Sequence, residues 1–102
     1  MKFENVKFTI DELREKFAPI FRQYGLLRAY VFGRYARGEE HEGCGIDLLI
    51  KADGLLEFEV FYEFMRDLHH AVRVKVDVTF EEYVNPYMKE EIEKEAILLY
   101  EK

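Results

Sequence analysis

Fifteen residues, Gly33 to Asp47 (GRYARGEEHEGCGID), contain the residue types from which a phosphate and metal site is built. The apolar run Ala29-Tyr30-Val31-Phe32 stops at Gly33, where the missing side chain lets backbone amides approach a phosphate closely. Arg34-Tyr35-Ala36-Arg37 suit a helical turn. A turn that opens after a strand points free N–H groups and a positive partial charge at an anion. Alone, that signal is weak. After a polar loop, Ile46-Asp47-Leu48-Leu49-Ile50 reads as a second strand, mostly apolar and therefore central, with one carboxylate at its start. A carboxylate there is costly unless it is paired, hydrogen-bonded or metal-bound.

These residues resemble the minimal nucleotidyltransferases, the MNT branch of the DNA polymerase β superfamily, whose motif is Gly-Ser, a short gap, then Asp-x-Asp. Laid on that pattern without gaps, Gly33 is the motif glycine and Tyr35-Ala36-Arg37-Gly38-Glu39 follow the usual wording after it. Ile46-Asp47-Leu48-Leu49-Ile50 match the second aspartate and its strand, and the resemblance runs from roughly Leu26 to Tyr100. The family takes a third aspartate from a later strand. In Val74–Thr79, the alternation puts Val74, Val76 and Val78 on one side and Lys75, Asp77 and Thr79 on the other, which makes Asp77 the candidate.

The resemblance implies an α/β (α+β) fold, a small mixed sheet packed by helices, like the palm of polymerase β. It implies Asp47 and Asp77 as catalytic and metal-binding residues, and Gly33, Arg34, Tyr35 and Arg37 as nucleotide-binding residues. Mg2+ and ATP are the implied cofactors. The implied partner is a HEPN-domain toxin ribonuclease, because many relatives are antitoxins of HEPN/MNT modules, some transferring AMP to the toxin and others masking it. A homo- or hetero-oligomer follows from that.

Two positions depart from the motif, and both are chemical. Arg34 stands where the family has serine, and Gly45 where it has the first aspartate. In Asp-x-Asp on a strand, the period of two puts both carboxylates on one face, where they share divalent cations with a triphosphate. Gly45 offers no such oxygen, so the cluster falls from three carboxylates to two, Asp47 and Asp77, weakening both the charge and the ligand count that two-metal phosphoryl transfer needs. Losing a metal worth several kcal/mol slows a reaction about a thousandfold or more. Transfer is thus expected to be weak or lost, and Mg2+ and ATP binding weakened or absent.

Arg34 admits three readings: a phosphate binder replacing the serine hydroxyl, an internal cation paired with Asp47 or Asp77, or a solvent-facing side chain. Two further functions compete with a masking antitoxin. One is an active Mg2+-dependent AMP transferase that borrows an acid such as Glu42 or Glu39; the other is a non-catalytic nucleotide-binding oligomer.

A chain of 102 residues suits one domain, residues 1–102, and 49% hydrophobic content supports a core. No apolar run of about 18 residues exists, and the Met-Lys-Phe-Glu start lacks a secretory layout, so the expectation is a cytoplasmic protein without membrane contact. A net charge of −6 argues against direct nucleic-acid binding. Residues 1–37 carry eight basic and four acidic groups, residues 38–63 one and eight. That acidic stretch either meets a basic partner or is simply solvated. Cys44, the single cysteine, forms no internal disulfide, and its two readings are a reactive thiol beside the site or a small packed residue.

Helices and strands must position the motif. Thr9 and Glu12 have capping-box spacing, and Leu13, Phe17, Ile20, Phe21 and Tyr24 recur at helical intervals up to Gly25, with Pro19 as a kink or break. Strands are expected at Arg28–Phe32, Ile46–Lys51 and Arg73–Val78. A helix from about Leu55 to His70 is expected to bury Phe58, Phe61, Tyr62, Met65 and Leu68, leaving Val60 and Phe64 partly outside the stripe as a partner surface or a thicker core contact. Asn85-Pro86 suits a helix start, and Met88, Ile92, Ala96 and Leu99 carry the helical period to the C-terminus. His69-His70 point about 100° apart on a helix and do not easily share a metal, and His41 belongs to an exposed loop.

Overall fold

The structure, a computed structural model, describes residues 3–54 and 56–102. Its strands are β1 (Leu26–Phe32), β2 (Ile46–Ala52), β3 (Val76–Phe80) and β4 (Ile97–Glu101), and its helices α1 (Ile10–Gln23), α2 (Arg34–Arg37), α3 (Phe58–Val72) and α4 (Pro86–Glu95). The sheet is mixed, in the order β3-β2-β1-β4. β1 runs antiparallel to β2 and β4, whereas β2 and β3 are parallel and joined by α3, as a parallel pair requires a crossover. An α/β (α+β) architecture with a small mixed sheet is therefore what the chain adopts.

α1 starts where its capping box places it: the Glu12 amide donates to Thr9 Oγ1 (3.0 Å) and the Thr9 amide to Glu12 Oε1 (2.9 Å). Pro19 neither breaks nor splits it; the helix is continuous and Pro19 lies on its exposed side. Leu13, Phe17 and Phe21 are fully buried and meet Phe64, Leu68 and Val72 of α3 over Ala29, Val31, Leu48 and Ile50 of the sheet. Phe21 links the layers, with ring centroids 6.3 Å from Phe64 and 5.8 Å from Tyr100. α1 and α3 thus cover one sheet face. The odd-numbered residues of β2, Asp47, Leu49 and Lys51, point to the other.

Three expectations are corrected. Ile97–Glu101 is a strand, not a continuation of the last helix: Ala96 leaves helical geometry (φ −62°, ψ 139°) and β4 pairs with β1 from Val31↔Ile97 to Arg28↔Glu101. An apolar run beside an open strand edge satisfies its backbone by pairing, and that contact overrides helical spacing. The buried face of α3 is rotated, with Phe64 at 0% exposure while Phe58 and Tyr62 are 83% and 65% exposed. Leu55, the expected start of that helix, lies outside the described residues. The third strand begins later than its apolar pattern, at Val76, because Arg73 caps α3 in the left-handed region (φ 61°) and the chain must first turn.

Candidate functional site

β1 ends at Phe32, and Gly33 turns the chain into α2. Gly33 adopts φ 71° and ψ −145°, a conformation only glycine takes readily, and a Cβ there would collide with Asp47 Oδ2. The glycine is therefore required by its backbone angles, and the Asp47 carboxylate packs on the space its missing side chain leaves. Gly38 ends the turn in the left-handed region (φ 73°), and its amide and that of Glu39 return to Tyr35 and Arg34 carbonyls (3.4 and 2.9 Å).

Parallel pairing sets Asp47 directly opposite Asp77, so both carboxylates emerge on the same face at the same level of the sheet. Asp47 is half-buried and Asp77 exposed. Burial raises the Asp47 carboxyl above the ordinary carboxylate range; Asp77 and Glu95 push it further and Arg37 and Lys75 oppose them. Lys75 lies 3.8 Å from Asp77. Around the two acids is an open cleft of about 330 Å³ bordered by Gly33, Arg34, Arg37 and Gly45. Gly45 precedes Asp47 by two residues, and a Cβ built on it would approach the Lys75 carbonyl to 3.4 Å. Among the described residues, no three His, Cys, Asp or Glu side chains converge as a metal cluster. A larger cavity of about 670 Å³ lies at the other end of β2, between Leu27, Ala52, Phe61 and Phe80; its walls are mainly apolar and it holds none of the motif residues.

A profile of the family described as Polymerase beta, Nucleotidyltransferase matches residues 15–102. The chain belongs to this nucleotidyltransferase family. Among curated relatives, the Methanocaldococcus jannaschii protein named "Putative protein adenylyltransferase MJ0435" is 31% identical over 86% of this chain and 95% of its own. A second from that organism, "Putative protein adenylyltransferase MJ1379", is 33% identical over 86% of this chain and 92% of its own. A solved minimal nucleotidyltransferase, so described as putative, superposes with a TM-score of 0.75 at 28% identity, covering 88% of this chain and 95% of the other. Chains of two toxin-antitoxin complexes share the fold. One, a toxin-antitoxin with AMP-PNP, gives a TM-score of 0.74 at 21% identity over 87% of this chain and 73% of its own. The other, the tri-AMPylated Shewanella oneidensis HEPN toxin with MNT antitoxin, gives 0.70 at 18% over 92% and 74%.

Within this nucleotidyltransferase domain, the residues singled out by sequence separate into two groups. Gly33, Arg34, Arg37, Asp47 and Asp77 meet at the cleft. Tyr35 does not. It is 3% exposed in the core, its hydroxyl accepts from the Phe8 amide (3.2 Å), and burial raises its pKa. On a single helical turn, Tyr35 takes the inward direction, while Arg34 and Arg37, three apart, share the outward one. That geometry also corrects the internal-cation reading of Arg34: it is exposed and, among the described residues, pairs with neither Asp47 nor Asp77. Arg37 is the paired one, 3.0 Å from both Glu39 and Glu95.

Glu95, the last residue of α4, was not singled out by sequence. Its Oε1 accepts from the Gly33 amide (3.1 Å) and its carboxylate from Arg37 (3.0 and 3.3 Å). Only the β4 pairing, which draws the end of α4 toward the end of β1, brings it there. Cys44 is buried with its thiol donating to the Gly45 carbonyl (3.3 Å), His41 is exposed, and Glu39 is engaged by Arg37.

Proposed function

We propose that this chain is an MNT-type antitoxin that masks a HEPN-domain toxin, with AMP transfer weak or lost. The observation that carries the reading is the paired state of the acids: Asp47 and Asp77 face one another in register, while position 45, where the motif has its first aspartate, has no side chain. One magnesium ion fits this pair, since Mg2+ is commonly held by one or two carboxylates together with water and substrate phosphates. The Asp47 carboxyl is raised by burial and by Asp77 against the opposing charges of Arg37 and Lys75, and a bound cation would relieve that remaining penalty. A second ion would lack its carboxylate, and without two metals the attacking and leaving oxygens are not both stabilised. When bound, the single ion would neutralise charge on ATP phosphates. Gly33 leaves room for those phosphates, and Arg34 and Arg37 supply positive charge.

The fold shared with a chain of the Shewanella oneidensis complex of HEPN toxin and MNT antitoxin supports a protein partner. The test is inhibition of the HEPN ribonuclease from the same genome, with and without ATP and Mg2+. Equal inhibition in both is expected, and strict dependence on nucleotide would sink the masking reading.

A second reading, protein AMP transfer, is favoured by relatives 31% and 33% identical whose names call them putative protein adenylyltransferases. Labelled ATP incubated with the toxin and Mg2+ or Mn2+ separates the two. Label that appears on the toxin and disappears in Asp47→Ala supports transfer; none at any metal concentration rejects it.

A further inference from the structure

Glu95 is an unexpected neighbour for this cleft. It ends α4, where carbonyl groups already concentrate negative partial charge, and it adds to the field that disfavours the Asp47 carboxylate. An acid so placed needs strong donors. It finds them in the Gly33 amide (3.1 Å) and in one guanidinium nitrogen, Arg37 Nη1, which is shared between its two carboxylate oxygens (3.0 and 3.3 Å). A main-chain N–H at a glycine together with a guanidinium N–H is a donor set that also suits a phosphate. The pairing of Val31 with Ile97, two residues after Glu95, fixes the latter beside the end of β1, so the contact is set by the sheet and not by a wandering side chain.

We propose that Glu95 is an internal phosphate stand-in: its carboxylate closes the anion cradle of Gly33 and Arg37, and a polyphosphate binds only by displacing it. The proposal rests on the reading of Gly33 and Arg37 as the phosphate cradle. The Gly33 N–H cannot serve two acceptors at full strength, and Arg37 Nη1 is already taken by Glu95 while its Nε is held by Glu39, so a phosphate competes with Glu95 directly for the Gly33 N–H and for Nη1. Removing the Glu95 charge leaves the donors in place and takes away the competitor. The site is then poised closed in the resting chain, and a ligand must bring enough charge to reopen it.

Calorimetric titration with sodium tripolyphosphate, and with ATP in the presence and absence of Mg2+, tests this on wild type, Glu95→Gln and Glu95→Ala. Glu95→Gln keeps the shape and an oxygen acceptor, so it reports the charge even if the alanine variant folds poorly. Affinity for tripolyphosphate is expected to rise about tenfold in Glu95→Gln and at least as much in Glu95→Ala. In 1H–15N spectra, the Gly33 amide should move in both variants without ligand, and a stationary resonance would overturn the contact. Equal affinity in all three proteins overturns the stand-in while leaving the nucleotide reading intact. Weaker binding in the variants overturns it also, since Glu95 would then assist the ligand. No binding by any of the three removes the cradle reading itself, and the stand-in with it.

Discussion

A buried and a half-buried carboxylate sit at opposite ends of one sheet and meet opposite treatment. Glu81, in the 3-10 turn Glu81–Tyr83 after β3, is 5% exposed and held by a guanidinium fork: Arg28 Nε and Nη2 donate to its two oxygens at 2.8 and 3.0 Å, with Lys89 at 3.7 Å. Arg28 holds its carboxyl below the ordinary range, more than offsetting the effect of burial. Asp47 lies beside the other end of β1, four residues or roughly 13 Å along the strand. It has Asp77 opposite it, no fork of its own, and a pKa pushed up. Neutralising a buried acid is therefore within this chain's means, and it does so where the acid only joins β1 to the turn after β3. Leaving Asp47 uncompensated costs stability, as binding sites commonly do.

Breaking the fork should have the largest effect. Arg28→Met leaves Glu81 with Lys89 alone, and stability is expected to fall by about 2–3 kcal/mol, discounted for the 36% exposure of Arg28. In urea or thermal melts, that corresponds to a drop of roughly 10 °C or more. Arg28→Met combined with Glu81→Met should recover most of the loss, because no buried charge is then stranded. A single variant as stable as wild type would end the contrast.

Gly33→Ala follows, at about 2 kcal/mol, from positive φ together with the collision with Asp47 Oδ2. The two causes are separable. In an Asp47→Ala background the collision disappears and the backbone strain remains, so the double-mutant cycle should show coupling of about 1 kcal/mol. Strict additivity would mean that the carboxylate does not pack on the glycine.

Asp47→Asn should reverse the sign, stabilising the fold by roughly 0.5–1 kcal/mol at neutral pH, as relief of a functional site often does. The pH dependence gives the sharper test. Asp47 has a folded pKa above its ordinary 3.8, so the folded chain binds the proton more tightly. Its penalty is absent below that value and grows as pH rises through the folded pKa. Glu81 is depressed below 4.5, so its stabilisation is present above that value and is lost as pH falls through the folded pKa. The advantage of Asp47→Asn should accordingly vanish in acid and grow toward neutrality. A constant difference across pH would exclude the electrostatic cause.

Local patterns were legible in the sequence, and contacts between distant segments were not. The Thr9 capping box, the alternation that turns Asp77 away from Val76, and the glycine at the end of β1 each depend on a few neighbouring residues, and each is present in the fold. β4 was misread because Ala96 and Leu99 fit a helical period that only the open edge of β1 overrides. That one error also hid Glu95, which reaches the cleft because the chain leaves α4 to join the sheet. Tyr35 failed for a different reason: the motif fixes the turn, but a turn of four residues has one inward direction, and the aromatic side chain takes it. Arg28 and Glu81, 53 residues apart, carried no local signal for their pairing.

The smallest change in stability should come from restoring the motif, Gly45→Asp with Arg34→Ser. Gly45 has no left-handed backbone requirement, and its new Cβ would sit in van der Waals contact with the Lys75 carbonyl at 3.4 Å, so the structural cost is at most a few tenths, about 0.3 kcal/mol. A second cost is electrostatic. The added carboxylate would point with Asp47 and Asp77, and three acids without a fork would deepen the contrast with Glu81. Divalent cations should cancel that cost, so the double variant is expected to lose slightly more stability in EDTA and to gain more from Mg2+ than wild type does. Calorimetry with MgCl2 and melts at increasing Mg2+ measure both sides of the linkage. Unchanged Mg2+ affinity would mean that the missing oxygen at position 45 is not what limits the pair, and the cause would then lie with Lys75, already 3.8 Å from Asp77 and able to take the place of a cation.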